Sequence, residues 1–223
     1  MRKRLFFRAL TALLAGLLVL GLLLFLPAGT LHYPAAWRLL GLLFVPMLIA
    51  GAVLFLKKPD LLEKRLRSKE KLKEQSMVIK LSGLMFVLGF VLAALDFRFG
   101  WLPLPLWVSD AASVVFLLAY LLYAEVLREN AYLSRTIEVQ EGQKVIDTGL
   151  YGIVRHPMYS ATILLFLSMP LVLGSLIAFV VFLPYPLLLV RRIRSEEQLL
   201  EAELEGYTAY KERVPCRLLP FFW

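Results

Sequence analysis

Long apolar runs constrain the fold of this chain more than any other feature of its sequence. Four segments, 5–26, 37–56, 77–95 and 104–127, each extend for about 20 residues with at most two charged side chains. Roughly 20 apolar residues cross the hydrocarbon of a bilayer as an α-helix, which satisfies its own backbone polar groups. The four segments are therefore predicted to be transmembrane helices.

A fifth apolar block, 158–190, is too long for one span and is interrupted by Pro170 and Gly174, and later by Pro184 and Pro186. Proline and glycine break helices, so the block predicts a tight helical hairpin of two shorter spans. The predicted fold is an all-α polytopic integral membrane protein with about six transmembrane helices.

The Lys and Arg residues predict the orientation of these helices. Four polar segments hold 23 of the 25 basic residues, namely the N-terminus up to residue 8, 57–80, 128–158 and the tail from 191. Only Arg38 and Arg98 fall on the other side. The positive-inside rule then places both termini in the cytoplasm. The predicted location of the protein is the cell (inner) membrane. The first run exceeds the apolar core of a signal peptide, so an uncleaved helix is predicted there.

Composition excludes several other classes of protein. The chain is 60% apolar and 19% charged, which argues against disorder and against a small soluble domain. The basic residues that give the net charge of +8 lie between apolar segments, as expected of a membrane protein, so no nucleic-acid partner is predicted. One cysteine and two histidines give no support for a disulfide framework or a metal centre. Glycine-rich nucleotide loops and hydrolase motifs are also missing from the sequence.

Two regions are predicted along the chain. Residues 1–129 hold four spans and a basic cytoplasmic connector, 57–76, which reads as a short amphipathic helix on the membrane surface. Residues 130–223 hold a polar loop, the helical hairpin and a polar tail. The loop and the tail flank the same hairpin on the same side of the membrane, so they can converge on a cytoplasmic cofactor pocket.

The first polar motif is Arg155-His156-Pro157-Met158-Tyr159. The residue before a proline avoids the α region, and proline suits the first position of a helix. His156 is therefore predicted to cap the fifth helix, whose free N–H groups can stabilise an anionic group of a ligand. The alternative is a plain helix start whose Arg, His and Tyr anchor the membrane surface.

The second motif is Arg192-x-x-x-Glu196-Glu197, just after the sixth span. A spacing of four puts Arg192 and Glu196 on one helical face. This pair can be an ordinary surface ion pair, or it can hold a ligand of mixed charge at the membrane surface.

Taken in order, GLYGIVRHPMY, a helical hairpin, RxxxEE, YxxYKERVP and a final LPFFW resemble the isoprenylcysteine carboxyl methyltransferase family over about residues 130–223. The resemblance implies an integral-membrane methyltransferase that uses S-adenosylmethionine. By the same resemblance the cofactor contacts are Gln140, Gln143, Lys144, Val145, Ile146, Tyr151, His156, Pro157, Met158, Tyr159 and Glu196. Arg192 matches the arginine expected to meet the substrate carboxylate and is the candidate catalytic residue.

The implied acceptor is a carboxylate on an isoprenylcysteine or another small lipophilic molecule, and membrane lipid is the other expected partner. Bacteria generally lack the prenylated proteins that give the family its name, so the acceptor is open. One alternative is methylation of a phospholipid amine, which would need a base such as His156, Glu196 or Glu197. Another is a sterol or steroid reductase that uses NADPH, because those membrane enzymes have a similar C-terminal region. A non-catalytic scaffold is a further alternative.

Overall fold

The structure is a computed structural model that describes residues 2–66, 73–133, 139–221 and 223, without the side chains of 73–76. In these ranges the chain forms α1 (Arg2–Ala28), α2 (Pro34–Lys57), α3 (Pro59–Leu66), α4 (Lys73–Phe99), α5 (Leu106–Glu129), α6 (Pro157–Val172), α7 (Leu176–Phe182), α8 (Tyr185–Glu203) and α9 (Tyr207–Arg213), with a 3-10 turn at Gly149–Gly152. The described residues form no β-strand, so the predicted all-α fold is confirmed.

Five helical segments are long and apolar enough to cross a membrane. They are α1, α2, the part of α4 from Met77 to Phe99, α5 and the joined stretch Leu176–Glu203 of α7 and α8. The fifth predicted span is α6, an apolar helix of only 16 residues, and the joined stretch of α7 and α8 is the sixth. The fold is therefore that of a polytopic membrane protein. Part of the predicted surface helix of the connector is α3, and connector residues 67–72 lie outside the described residues.

The C-terminal hairpin turns where the sequence predicts it. Helix α6 ends at Val172, and Gly174 follows with φ +77°, a left-handed conformation that glycine adopts without a Cβ penalty. The Ser175 side chain then accepts a hydrogen bond from the Ala178 N–H at 3.2 Å and caps α7. The return limb breaks again at Pro184, because a proline cannot continue the hydrogen-bond ladder of α7.

One apolar core holds α1, α2 and α4–α8 together. It is built around side chains such as Leu24, Leu39, Phe116, Phe182 and Ile193, which have almost no exposed surface. At Gly89 on α4 an added Cβ atom would overlap the Phe182 ring of α7. Small residues commonly allow such close approach between membrane helices. The core thus fixes the hairpin against the N-terminal helices.

Helix α6 is shorter than its neighbour α5, and this difference sets the depth of the site. At one end the two helices are level, because the Leu104 N–H donates to the Gly174 carbonyl at 2.8 Å. At the other end α6, with 16 residues against 24 in α5, begins about two turns before α5 finishes at Glu129. Arg65 of α3 hydrogen-bonds the Tyr123 hydroxyl and also contacts Met158 Sδ at 3.9 Å. The first turn of α6 is therefore recessed relative to the end of α5.

Candidate active site

A cleft opens above this recessed end of α6. Its wall combines the end of α5, the loop that follows it, the 3-10 turn, the start of α6, the second half of α8 and α9. The lining residues are Asn130, Tyr132, Leu133, Gln143, Lys144, Val145, Ile146, Tyr151, Arg155, His156, Met158, Tyr159, Arg192, Glu196, Leu199, Leu200, Leu204, Tyr207 and Tyr210. The polar loop and the tail therefore converge as their placement around the hairpin predicts.

Ten of the twelve predicted site residues lie in the wall of this cleft. They are Gln143, Lys144, Val145, Ile146, Tyr151, His156, Met158, Tyr159, Arg192 and Glu196. The other two, Gln140 and Pro157, are not among the lining residues. The structure thus brings most of the set together, from four separate parts of the chain.

Gln140 shapes the loop beside the cleft. Its side-chain Nε2 donates to the Tyr132 carbonyl at 2.6 Å, and its backbone N–H donates to Gln143 Oε1 at 2.9 Å. Pro157 is the buried first residue of α6, where its missing N–H leaves no helical bond unmade. Both residues support the wall of the cleft from behind.

His156 is the N-cap residue of α6, as the Arg-His-Pro pattern predicts. The chain before it is fastened to the tail by two backbone bonds. The Arg155 N–H donates to the Cys216 carbonyl and the His156 N–H donates to the Arg217 carbonyl, both at 2.9 Å. The tail is thus joined to the residues that precede α6.

A buried carboxylate, Glu197, joins the start of α6 to the tail. Its Oε1 accepts from Arg155 Nε at 2.8 Å and lies 3.3 Å from His156 Nε2, while its Oε2 accepts from Arg217 Nε at 2.9 Å. Arg155 Nη1 also donates to the Val214 carbonyl at 2.6 Å. A buried charge needs such pairing to offset its desolvation. With both oxygens engaged, Glu197 is a poor candidate for the base that amine methylation would need.

A second chain of polar contacts crosses the cleft from α6 to α8. The Tyr159 hydroxyl donates to Glu196 Oε2 at 2.5 Å and accepts from Arg192 Nε at 3.0 Å. Tyr159 therefore links Arg192 to Glu196, and the pair predicted on one face of a helix is organised through a residue of another helix. The arrangement presents one positive and one negative group to the same space.

The other end of the cleft is apolar and aromatic. Val145, Leu200, Leu204, Tyr207 and Tyr210 pack against one another there. The Tyr210 hydroxyl donates to the Tyr151 carbonyl at 2.8 Å. Burial is the main reason that the pKa values of the phenols of Tyr151, Tyr207 and Tyr210 are raised above their ordinary value near 10. All three phenols therefore stay protonated at neutral pH.

Sequence reasoning assigned no role in the cleft to Arg155, Arg217 or Tyr207, and it considered Glu197 only as a base. One sequence signal could have indicated the structural role of Glu197. Adjacent side chains on a helix point in different directions, so Glu197 can be expected to have other partners than Glu196. The partners in the tail gave no local pattern, since they are 20 to 60 residues away from the groups that they contact.

Fold and site together define a class: a polytopic α-helical membrane protein whose polar cleft is formed around a C-terminal helical hairpin. Residues 111–202 match the model of the Isoprenylcysteine carboxyl methyltransferase (ICMT) family. The predicted family resemblance is thus confirmed over a segment that contains α6, all of α8 but its last residue, and most of the cleft, while the chain from 203 lies beyond the matched residues.

The chain is also similar to Delta(14)-sterol reductase of Mus musculus. The two sequences are 33% identical over 91 residues, which are 40% of this chain. This chain covers 22% of the length of that protein. The similarity is therefore confined to one segment of a considerably longer protein.

Proposed function

We propose that this protein is an S-adenosylmethionine-dependent membrane methyltransferase that methylates the carboxylate of a lipophilic acceptor of the isoprenylcysteine type. The observation that carries the proposal is the Arg192–Tyr159–Glu196 chain, which presents opposite charges across one cleft. All three residues lie within the segment that matches the methyltransferase family. The family match supports a methyl-transfer reaction, and the chain of contacts supports this cleft as its site.

The groups in the cleft fit the chemistry of S-adenosylmethionine. Its amino-acid end carries an ammonium and a carboxylate, which suit Glu196 and a cation of the cleft lining such as Lys144. Its adenine base is flat and largely apolar, which suits the aromatic end around Tyr207 and Tyr210. The cleft lining thus combines charged groups with an aromatic cluster, which are the two kinds of surface that such a molecule needs.

When bound, S-adenosylmethionine supplies an electrophilic methyl group, which passes to a carboxylate oxygen while the carbon–sulfur electron pair stays on sulfur. A carboxylate acceptor is already ionised at neutral pH, since its reference pKa is about 4. The protein therefore needs no general base for this acceptor. What its residues must provide is alignment of the reacting groups and exclusion of water.

Arg192 is suited to the alignment. A guanidinium offers five N–H donors in a rigid plane and can bind a carboxylate through two parallel hydrogen bonds. Its Nε is held by the Tyr159 hydroxyl at 3.0 Å, so the plane of the group is fixed from α6. In this proposal Arg192 binds the acceptor, Glu196 binds the cofactor ammonium, and Tyr159 keeps the two at a fixed separation.

The recessed start of α6 supports access for a lipophilic acceptor. The acceptor tail enters sideways from the bilayer between helices, and the water-soluble cofactor enters from the polar face. We propose that this face is cytoplasmic, with both termini on the same side, because 23 of 25 basic residues fall in the polar segments of that side.

A second candidate is an NADPH-dependent sterol or steroid reductase. The observation that favours it is the 33% identity with Delta(14)-sterol reductase over 91 residues. Calorimetry separates the two candidates. Detergent-purified protein is titrated with S-adenosylhomocysteine and, in a separate cell, with NADPH.

Heat of binding with S-adenosylhomocysteine alone supports the methyltransferase, and heat with NADPH alone selects the reductase. Labelled S-adenosylmethionine is then offered with prenylated cysteines, fatty acids and amine head groups. Methyl transfer to a prenylated cysteine or fatty acid supports the proposed acceptor class. Transfer only to amines would replace the carboxylate acceptor by a phospholipid.

A further inference from the structure

One polar atom in the cleft has no partner among the residues that the structure describes. It is the hydroxyl of Tyr207, at the start of α9. Tyr207 is 4% exposed and lies in the cleft wall. Buried hydroxyl groups are nearly always hydrogen-bonded, because an unpaired one loses its hydration without compensation.

The neighbouring tyrosine on α9 has the hydrogen-bond partner that Tyr207 lacks. Tyr210 lies one turn later on α9, is also buried, and donates its hydroxyl to the Tyr151 carbonyl at 2.8 Å. A phenylalanine at 207 would fill nearly the same space at a lower desolvation cost. The hydroxyl at that position therefore indicates that a ligand supplies its hydrogen-bond partner.

The surroundings of this hydroxyl restrict the ligand. Val145, Leu200 and Leu204 line the same end of the cleft and pack around Tyr207. The wall thus offers apolar surface, aromatic edges and the Tyr207 hydroxyl, which also lies within the range of the charges of Glu197, Glu196 and Arg155. The pKa of Tyr207 is raised by burial and by the charge of Glu197, so the hydroxyl keeps its proton and acts as a donor.

We infer that the Tyr207 hydroxyl donates a hydrogen bond to a ring nitrogen of the adenine base, and that this apolar end of the cleft is the base-binding subsite. The inference rests on the proposed function for the choice of cofactor. A purine presents a flat apolar surface whose ring nitrogens only accept hydrogen bonds, which complements this wall. Tyr207 is thereby a specificity residue for the base and takes no part in the transfer itself.

The test compares wild type, Tyr207→Phe and the control Tyr210→Phe by calorimetry with S-adenosylhomocysteine. Tyr207→Phe is expected to bind about 5- to 50-fold more weakly, the loss of one buried hydrogen bond to a ligand. The titration is repeated with the 1-deaza, 3-deaza and 7-deaza analogues. One analogue should lose affinity in wild type by a similar factor and lose no more in Tyr207→Phe, because the two changes remove the same bond.

Thermal unfolding without ligand gives an independent readout. Tyr207→Phe should unfold at or above the wild-type temperature, since it removes an unpaired buried group, whereas Tyr210→Phe should unfold lower because it leaves the Tyr151 carbonyl unpaired. Equal affinity of wild type and Tyr207→Phe for S-adenosylhomocysteine would overturn the inference and leave the proposed function intact. Equal loss with all three analogues in both proteins would also overturn it.

Failure of the proposed function gives a different pattern. Wild type would then bind NADPH and not S-adenosylhomocysteine, and the same variants would be titrated with NADPH, which also contains adenine. A weaker Tyr207→Phe complex with NADPH would support the base-binding subsite in a reductase. If wild type binds neither nucleotide, the inference fails together with the proposed function.

Discussion

At the scale of a single residue, a substitution of Arg192 tests whether this side chain binds substrate or has only a structural role. If it binds the acceptor carboxylate, Arg192→Lys should retain cofactor affinity and lose turnover, because lysine keeps the charge but lacks the planar fork. A displacement of about 1 Å at the reacting atoms can cost on the order of 100-fold in rate. The measurement is methyl transfer from labelled cofactor beside a binding titration. Turnover near the wild-type level would rule out the carboxylate clamp.

Glu197 provides a stability test at the same scale. Glu197→Gln removes the charge that holds Arg155, His156 and Arg217, and leaves two guanidinium groups without their carboxylate. Breaking a buried ion pair costs about 3–5 kcal/mol. The free energy of unfolding in detergent should fall by an amount of that order.

The matched control is Glu201→Gln, four residues further on α8. Glu201 pairs with Lys211, and both side chains are more than a third exposed. Exposed pairs contribute about 1 kcal/mol or less, so this variant should unfold close to wild type. Equal effects of the two substitutions would contradict a structural role for the buried cluster.

The candidate site was predictable in part because its motifs are local. The Arg-His-Pro sequence predicts the N-cap at His156, and the spacing of Arg192 and Glu196 predicts one helical face. The pairing of both groups with Tyr159 was not predictable, since it depends on how α6 packs against α8. The same holds for Tyr207, whose burial is a property of the closed cleft and leaves no mark in the sequence.

At the scale of elements, Gly89 determines how closely α4 approaches α7. Gly89→Ala would place a methyl group within the Phe182 ring and should destabilise the protein by about 1–3 kcal/mol, the cost of overpacking a core. Gly83→Ala on the same helix meets nothing within 4 Å and is the matched control. Its unfolding temperature should equal or exceed that of wild type, because alanine favours a helix over glycine. Equal destabilisation by both variants would contradict the close contact.

Element boundaries were predictable where proline and glycine mark them. Gly174 and Pro184 indicate the turn of the hairpin and the start of α8, and both interrupt helices in the structure. Helix α9 was not predicted, because seven residues carry too little periodicity to be distinguished from a polar tail. Its two buried tyrosines take their places through contacts with the loop near Val145.

At the scale of the whole molecule, the basic residues predict which face is cytoplasmic. In a Cys216→Ser background, Glu141→Cys should be labelled by an impermeant thiol reagent only after the inner side is opened. His32→Cys, in the turn between α1 and α2, should be labelled from outside in intact cells. The reverse pattern would invert the topology. The five membrane-length helices and their order followed from apolar run lengths, whereas the single core that joins them depends on packing.

The shortness of the 16-residue α6 affects how the effective concentration of a lipophilic acceptor must be expressed. At 1.5 Å per residue it covers about 24 Å, less than the roughly 30 Å of bilayer hydrocarbon. If the Gly174 turn lies at one surface of the hydrocarbon, the start of α6 falls about 6 Å short of the other surface. For the proposed lipophilic acceptor the bilayer is the solvent, and its two-dimensional density replaces its concentration in water. Occupancy of the cleft is then governed by the mole fraction of acceptor among the lipids, and adding inert lipid dilutes the substrate as adding buffer would for a soluble enzyme.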